Sequence, residues 1–228
     1  MANVWKNPPL APQMTKSRST ATIDASDGRP VSTLEADMAL ELDAAKTALV
    51  VIDLQRGIVG FPAAPNEPSD VVARAAAIAS ALRAAGGLVV LVHVTPSADG
   101  KDALHPTTDA APMARGSAPQ GWSDIVPELG PEPGDVVITK RQWGAFYGTE
   151  LDLQLRRRGI GTIVLCGIST TMGVESTARD AFERGYDQVF VEDAMSAREA
   201  AEHANAVATV FTRIGRVRST AEVLAALR

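Results

Sequence analysis

Residues Thr162 to Arg184 read TIVLCGISTTMGVESTARDAFER. The first seven are apolar or β-branched without a charged interruption, the pattern of a strand buried on both faces of a sheet. A glycine-containing turn follows, and Thr171 to Arg184 reads as a helix. A buried strand that runs into a helix is half of a βαβ unit, so the question is whether the same alternation recurs along the chain.

It does. TALVVID, Thr47 to Asp53, is a second continuous apolar run, and Ser69 to Ala85 reads as a helix capped by Ser69 and ended by Gly86 and Gly87. GLVVLVHV, Gly87 to Val94, and DVVITK, Asp135 to Lys140, are further strands. Thr149 to Gly159 has the spacing of a helix with Leu151, Leu155 and also Leu153 turned inward and its arginines in water. QVFVEDA from Gln188, a helix over Glu199 to Ile214, the short strand GRVRS and a terminal helix AEVLAAL complete the series. Strands alternating with helices predict an α/β fold: a three-layer α-β-α, Rossmann-like arrangement around a six-stranded, mainly parallel sheet.

Two stretches do not fit the alternation. Residues 1–36 mix Pro, Ser, Thr and charges without a period and are expected to be an arm or disordered tail, leaving 37–228 as the domain. Residues 95–134 form a connection too long to be idle, and are expected to lie over a site.

Composition narrows the function. The 228 residues carry a net charge of −5, which gives no basic footprint for nucleic acid or an anionic membrane surface. One cysteine, Cys166, excludes an internal disulfide framework, and its place inside an apolar strand reads as a small buried hydrophobe. No apolar run approaches the roughly 20 residues of a membrane helix, and no leader pattern opens the chain, so a cytoplasmic protein is expected. His93, His105 and His203 offer no metal-ligand spacing, so neither metal nor cofactor is expected. His203 is expected at the surface or an interface.

In open α/β sheets, ligands bind outside the carboxyl ends of the strands. Asp53 and Gln55 follow the first strand, His93 nears the end of the second, Lys140 ends the third, and Ile168, Ser169 and Thr170 follow the fourth. An ionised side chain at the end of an apolar strand is costly unless it is paired or faces a cleft. Asp53 and Lys140 are therefore a candidate acid–base pair, with the ammonium able to stabilise a developing anion.

The motifs VIDLQ, TKRQWGAFYGTELDLQLRRRG and TIVLCGISTTMGVESTARDAFERGYD, in that order and spacing, resemble the isochorismatase-like hydrolase superfamily over roughly residues 44–220. The resemblance implies catalytic roles for Asp53 and Lys140 and places Gly173 where most of the family has a nucleophilic cysteine. It also implies a turn at Ile168 and Ser169 whose peptide is often cis. Substrate contacts are expected from Gln55, His93, Trp143, Phe146, Ile168, Ser169 and Thr170, although an aromatic group such as Trp143, Phe146 and Tyr147 also reads as packing.

Without a thiol the acyl-enzyme route is closed. The chemistry that remains resembles that of isochorismatases: an Asp protonates an enol ether, and water adds to the resulting cation. Gln142, Trp143 and Ser169 depart from the isochorismatase pattern, which separates this chain from that substrate. Two other readings stay open: hydrolysis of an amide or carbamoyl group by water or a hydroxyl of Ser169 to Thr171, and a silent small-molecule binding protein. The expected partners are a small-molecule substrate and further copies of the chain, as a dimer or tetramer.

Overall fold

The structure, a computed structural model, describes residues 40–109 and 119–227. The expected arm of residues 1–36 lies outside them, as does the middle of the 95–134 connection. Six strands form one sheet: β1 (Thr47–Ile52), β2 (Leu88–Val94), β3 (Val136–Lys140), β4 (Thr162–Ile168), β5 (Asp187–Ser196) and β6 (Arg216–Arg218). Their order is β3-β2-β1-β4-β5-β6 and every pairing is parallel, as the apolar runs predict. All six residues of β1 are buried, because it lies at the centre with helices on both faces.

The strand period of two sends alternate residues of β1 into two separate cores. Ala48, Val50 and Ile52 face one layer, packing with Leu151 and Leu155 of α3 (Leu151–Arg157), Ala178 and Ala181 of α4 (Glu175–Glu183), and Phe211. Leu49 and Val51 face the other, with Val71, Ala75, Ile78 and Leu82 of α2 (Pro68–Ala84) and Val223 of α6 (Thr220–Ala226). Burial of each Val, Leu or Ile side chain among them contributes about 1.5–3 kcal/mol. Cys166 belongs to the second core, where burial pushes its thiol up to about 12 and leaves it inert.

The structure departs from the sequence reading at several helix details. α2 begins at Pro68 with Glu67 in the capping position and no side-chain cap, so Ser69 lies inside the helix. Proline supplies the start instead, because its fixed φ suits the first turn and its missing N–H costs nothing there. Leu153 is exposed, since it stands off the face that buries Leu151 and Leu155. The helix expected from Thr171 opens with a wider π-helical turn, Thr170–Val174, before α4. The helix expected over Glu199 to Ile214 divides into α5 (Ala200–Ala206), a π-helical turn Val207–Phe211, and a last turn Thr212–Ile214. A one-turn helix, α1 (Arg56–Val59), follows β1.

Candidate active site

The strand order reverses between β1 and β4, which is where such sheets leave a crevice at their carboxyl edge. Asp53 leaves β1 there with φ of 53°, and among the described residues no other non-glycine has a positive φ. The left-handed backbone turns the chain sharply after Ile52. Lys140, at the end of β3, reaches across so that its Nζ donates to Asp53 Oδ2 at 2.7 Å and to the Gln142 carbonyl at 3.0 Å. Both side chains are almost fully buried, at 1% exposure for Lys140 and 8% for Asp53.

The second oxygen, Asp53 Oδ1, is buried and has no hydrogen-bond partner. Burial is the dominant influence on this carboxyl and pushes its pKa up to about 6, against the opposing attraction of Lys140 and a smaller one of His93. The consequence for stability has a definite sign. Unfolded, the carboxyl ionises near 3.8; folded, it holds its proton up to about 6. Between those values the folded chain binds a proton that the unfolded chain has lost, so the contribution of Asp53 to stability falls as pH rises from about 4 to about 6, by roughly 3 kcal/mol, and changes little above. Urea unfolding of the wild type and Asp53→Asn across that range measures it as the difference between the two slopes, which removes the opposite contribution of groups such as His203.

Gly173 lies against this pair. A Cβ on it would stand 3.1 Å from Asp53 Oδ2 and 3.6 Å from the Trp143 carbonyl. The turn that carries it follows a cis peptide between Ile168 and Ser169. Ser169 Oγ is buried without a partner, as Asp53 Oδ1 is. Thr177, which the sequence reading did not single out, ties this turn to the segment after Lys140: its hydroxyl donates to the Gly173 carbonyl at 2.7 Å and accepts from the Ala145 amide at 3.1 Å. The signal for it was position, four residues after Gly173 on the same helical face, where a threonine hydroxyl reaches back to a carbonyl.

Several of the expected substrate contacts are engaged by the protein itself. Gln55 is fully buried, and its amide is used by main chain: Oε1 accepts from Val94 N at 2.8 Å, and Nε2 donates to the Val94 carbonyl at 3.0 Å and the Trp122 carbonyl at 3.4 Å. It fastens the described end of the 95–134 connection along the exit of β1, where Gly57 N also donates to Trp122 O and Val126 N to Leu54 O. His93 is bound at both ring nitrogens, Nδ1 to the Ser123 carbonyl and Nε2 to the Thr139 hydroxyl, each at 2.8 Å. Phe146 belongs to the core, its ring 5.8 Å from that of Tyr186 with the Arg184 guanidinium over it.

Trp143 borders the site through its main chain while its side chain is exposed. Thr170 Oγ1 is bonded to His203 Nδ1 at 2.9 Å, and both residues are buried. His203 was expected at the surface or an interface; α5 packs on the Thr170–Val174 turn and covers it, which depresses its pKa. Gln142 donates its amide to the Gly144 and Tyr147 carbonyls, holding the segment after Lys140 in a compact turn. Among the described residues no group of three or more His, Cys, Asp and Glu side chains is placed to hold a metal ion, and no helix is long and apolar enough to cross a membrane.

The chain is similar to known proteins in both sequence and fold. The chain is 53% identical, over 82% of its length and all of the relative's, to the uncharacterized isochorismatase family protein YecD of Escherichia coli O157:H7. It is 34% identical, over 82% of each chain, to the ureidoacrylate amidohydrolase RutB of Methylobacterium radiotolerans. Among solved structures, an isochorismatase family protein from Burkholderia thailandensis superposes with a TM-score of 0.78 at 48% identity, covering 82% of this chain and 97% of that one. The isochorismatase domain matches residues 47–222, which span β1, β3 and β4 and so hold Asp53, Lys140 and Gly173, and the chain therefore belongs to the isochorismatase family of hydrolases.

Proposed function

We propose that the protein hydrolyses a small enol ether by acid catalysis, with Asp53 as proton donor, Lys140 as its electrostatic partner, and no side-chain nucleophile. One observation carries this reading: Lys140 holds Asp53 by Oδ2, while Oδ1 is buried without a partner on a carboxyl pushed up to about 6. The proton of the acid form then resides on Oδ1, the oxygen that Lys140 leaves unbonded. Transfer of that proton to the enol-ether carbon forms an oxocarbenium ion. Water adds its oxygen to the cationic carbon and returns a proton to the Asp53 carboxylate. The hemiketal so formed collapses to a ketone and an alcohol. Gly173, at the position that the family resemblance gives to cysteine, offers no atom that can be acylated.

A second reading, hydrolysis of an amide or carbamoyl group, draws on the similarity to a ureidoacrylate amidohydrolase. It would need water or the unpartnered Ser169 hydroxyl as nucleophile. Turnover of a panel of enol ethers, ureides and amides separates the two. Enol ether cleavage that declines as pH rises through about 6 supports acid catalysis by Asp53. Cleavage of amides alone, lost in Ser169→Ala, would replace it with the second reading.

A further inference from the structure

Thr170 opens the turn that carries Gly173 to Asp53, and it is fully buried. Its hydroxyl is bonded to His203 Nδ1 at 2.9 Å. His203 is brought there by α5, which follows β5, the strand that pairs with β4 through Ile168 and Ser196. Burial disfavours the imidazolium and depresses the pKa of this ring. A neutral imidazole offers one donor and one acceptor, so the hydroxyl and the ring nitrogen complete each other whichever tautomer is present.

Packing alone does not ask for such a pair. Replacing both partners of a buried hydrogen bond by apolar groups of similar shape is close to neutral for stability, while removing one partner strands the other. What a buried polar pair supplies beyond an apolar one is a fixed direction. Direction matters at this place. One residue before Thr170 is Ser169, whose buried hydroxyl has no partner, and three residues after it is Gly173, where a Cβ would stand 3.1 Å from Asp53 Oδ2. The far side of the turn is held by Thr177, through the Gly173 carbonyl and the Ala145 amide. Its near side is held by Thr170 and His203.

We propose that His203 is a positioning residue of the active site: through the Thr170 hydroxyl it sets how the Thr170–Val174 turn seats against Asp53. It acts through Thr170 and not on the reacting atoms. The turn covers the carboxyl and keeps water from it, the condition under which Asp53 retains its proton. This rests on the acid-catalysed reading above, and the seating itself is measured without a substrate.

The test is a cycle of Thr170→Val, His203→Leu and the double variant in the full chain. Each single variant strands a buried polar group and is expected to lower Tm by about 4 °C or more, whereas the double variant stays within about 3 °C of the wild type. Despite that recovery, the Asp53 carboxyl, followed by 13C NMR, is expected to titrate about one pH unit lower in His203→Leu and in the double variant, because a loosened turn admits water. On an enol ether that the wild type cleaves, the double variant loses about 10- to 100-fold in kcat with KM little changed. His203→Asn, whose amide stands at the place of Nδ1, restores the bond and with it the wild-type titration, and it carries the test should the double variant not fold. The proposal is overturned if the double variant titrates as the wild type does, or if His203→Asn titrates like His203→Leu. Failure of the acid-catalysed reading shows separately, as turnover that Asp53→Asn leaves intact while the titration shifts remain.

Discussion

Asp53→Asn is expected to reduce kcat on an enol ether by about 10²- to 10⁴-fold, the range that a positioned general acid contributes. Asparagine keeps the shape and an acceptor for Lys140, and it tolerates the φ of 53° at this position. What it cannot do is hold the transferable proton on the oxygen that has no partner. Asp53→Ala loses the same activity and adds the strain of a left-handed alanine, about 1–2 kcal/mol. Steady-state kinetics with urea unfolding of both variants checks this; equal turnover by Asp53→Asn and wild type removes the acid role.

Lys140→Met should be the most damaging substitution for stability. The ammonium is a counter-charge to a buried carboxylate at 2.7 Å, and removing one partner of such a pair costs about 3–5 kcal/mol because the other charge is left uncompensated. The loss has a direction in pH. At low pH Asp53 is protonated and has no charge to compensate, so the variant is closest to wild type there and falls progressively behind as the carboxyl ionises. The double variant Asp53→Asn/Lys140→Met carries no buried charge and is expected to be more stable than Lys140→Met alone above pH 7. Unfolding of the four proteins at pH 5 and pH 8 measures both the coupling and its pH dependence.

The fold was legible because a parallel sheet buried on both faces leaves an unmistakable trace in sequence. β4 occupies Thr162–Ile168, the residues of the apolar run, and β1 departs from its run by one residue at the carboxyl end. Helix interiors were harder to read. The π-helical turns at Thr170–Val174 and Val207–Phe211 both lie against α5, a tertiary setting that local periodicity does not encode.

At the carboxyl edge, sequence reasoning found the residues whose type is expensive to bury, Asp53 and Lys140, because a charge at the end of an apolar strand requires an explanation. It did not show where amide polarity is spent on main chain. Gln55 and Gln142 close loops with their amides, and nothing in one sequence distinguishes such an amide from one that faces a ligand. Thr177 was missed for the opposite reason: a threonine in a helix is ordinary, and only its neighbours give it a role.

The enclosure of the Asp53 and Lys140 pair has a consequence for how the protein responds to its medium. Mobile ions screen charges that they can approach, over about 8 Å at physiological ionic strength, and they screen a sealed pair much less. The exposed pairs, such as Lys101 with Asp99, lie open to that screening, while Lys140 at 1% exposure does not. Added salt should therefore leave the attraction that sets the Asp53 proton almost untouched, and a strong dependence of turnover on ionic strength would report charges met by the substrate on its way in.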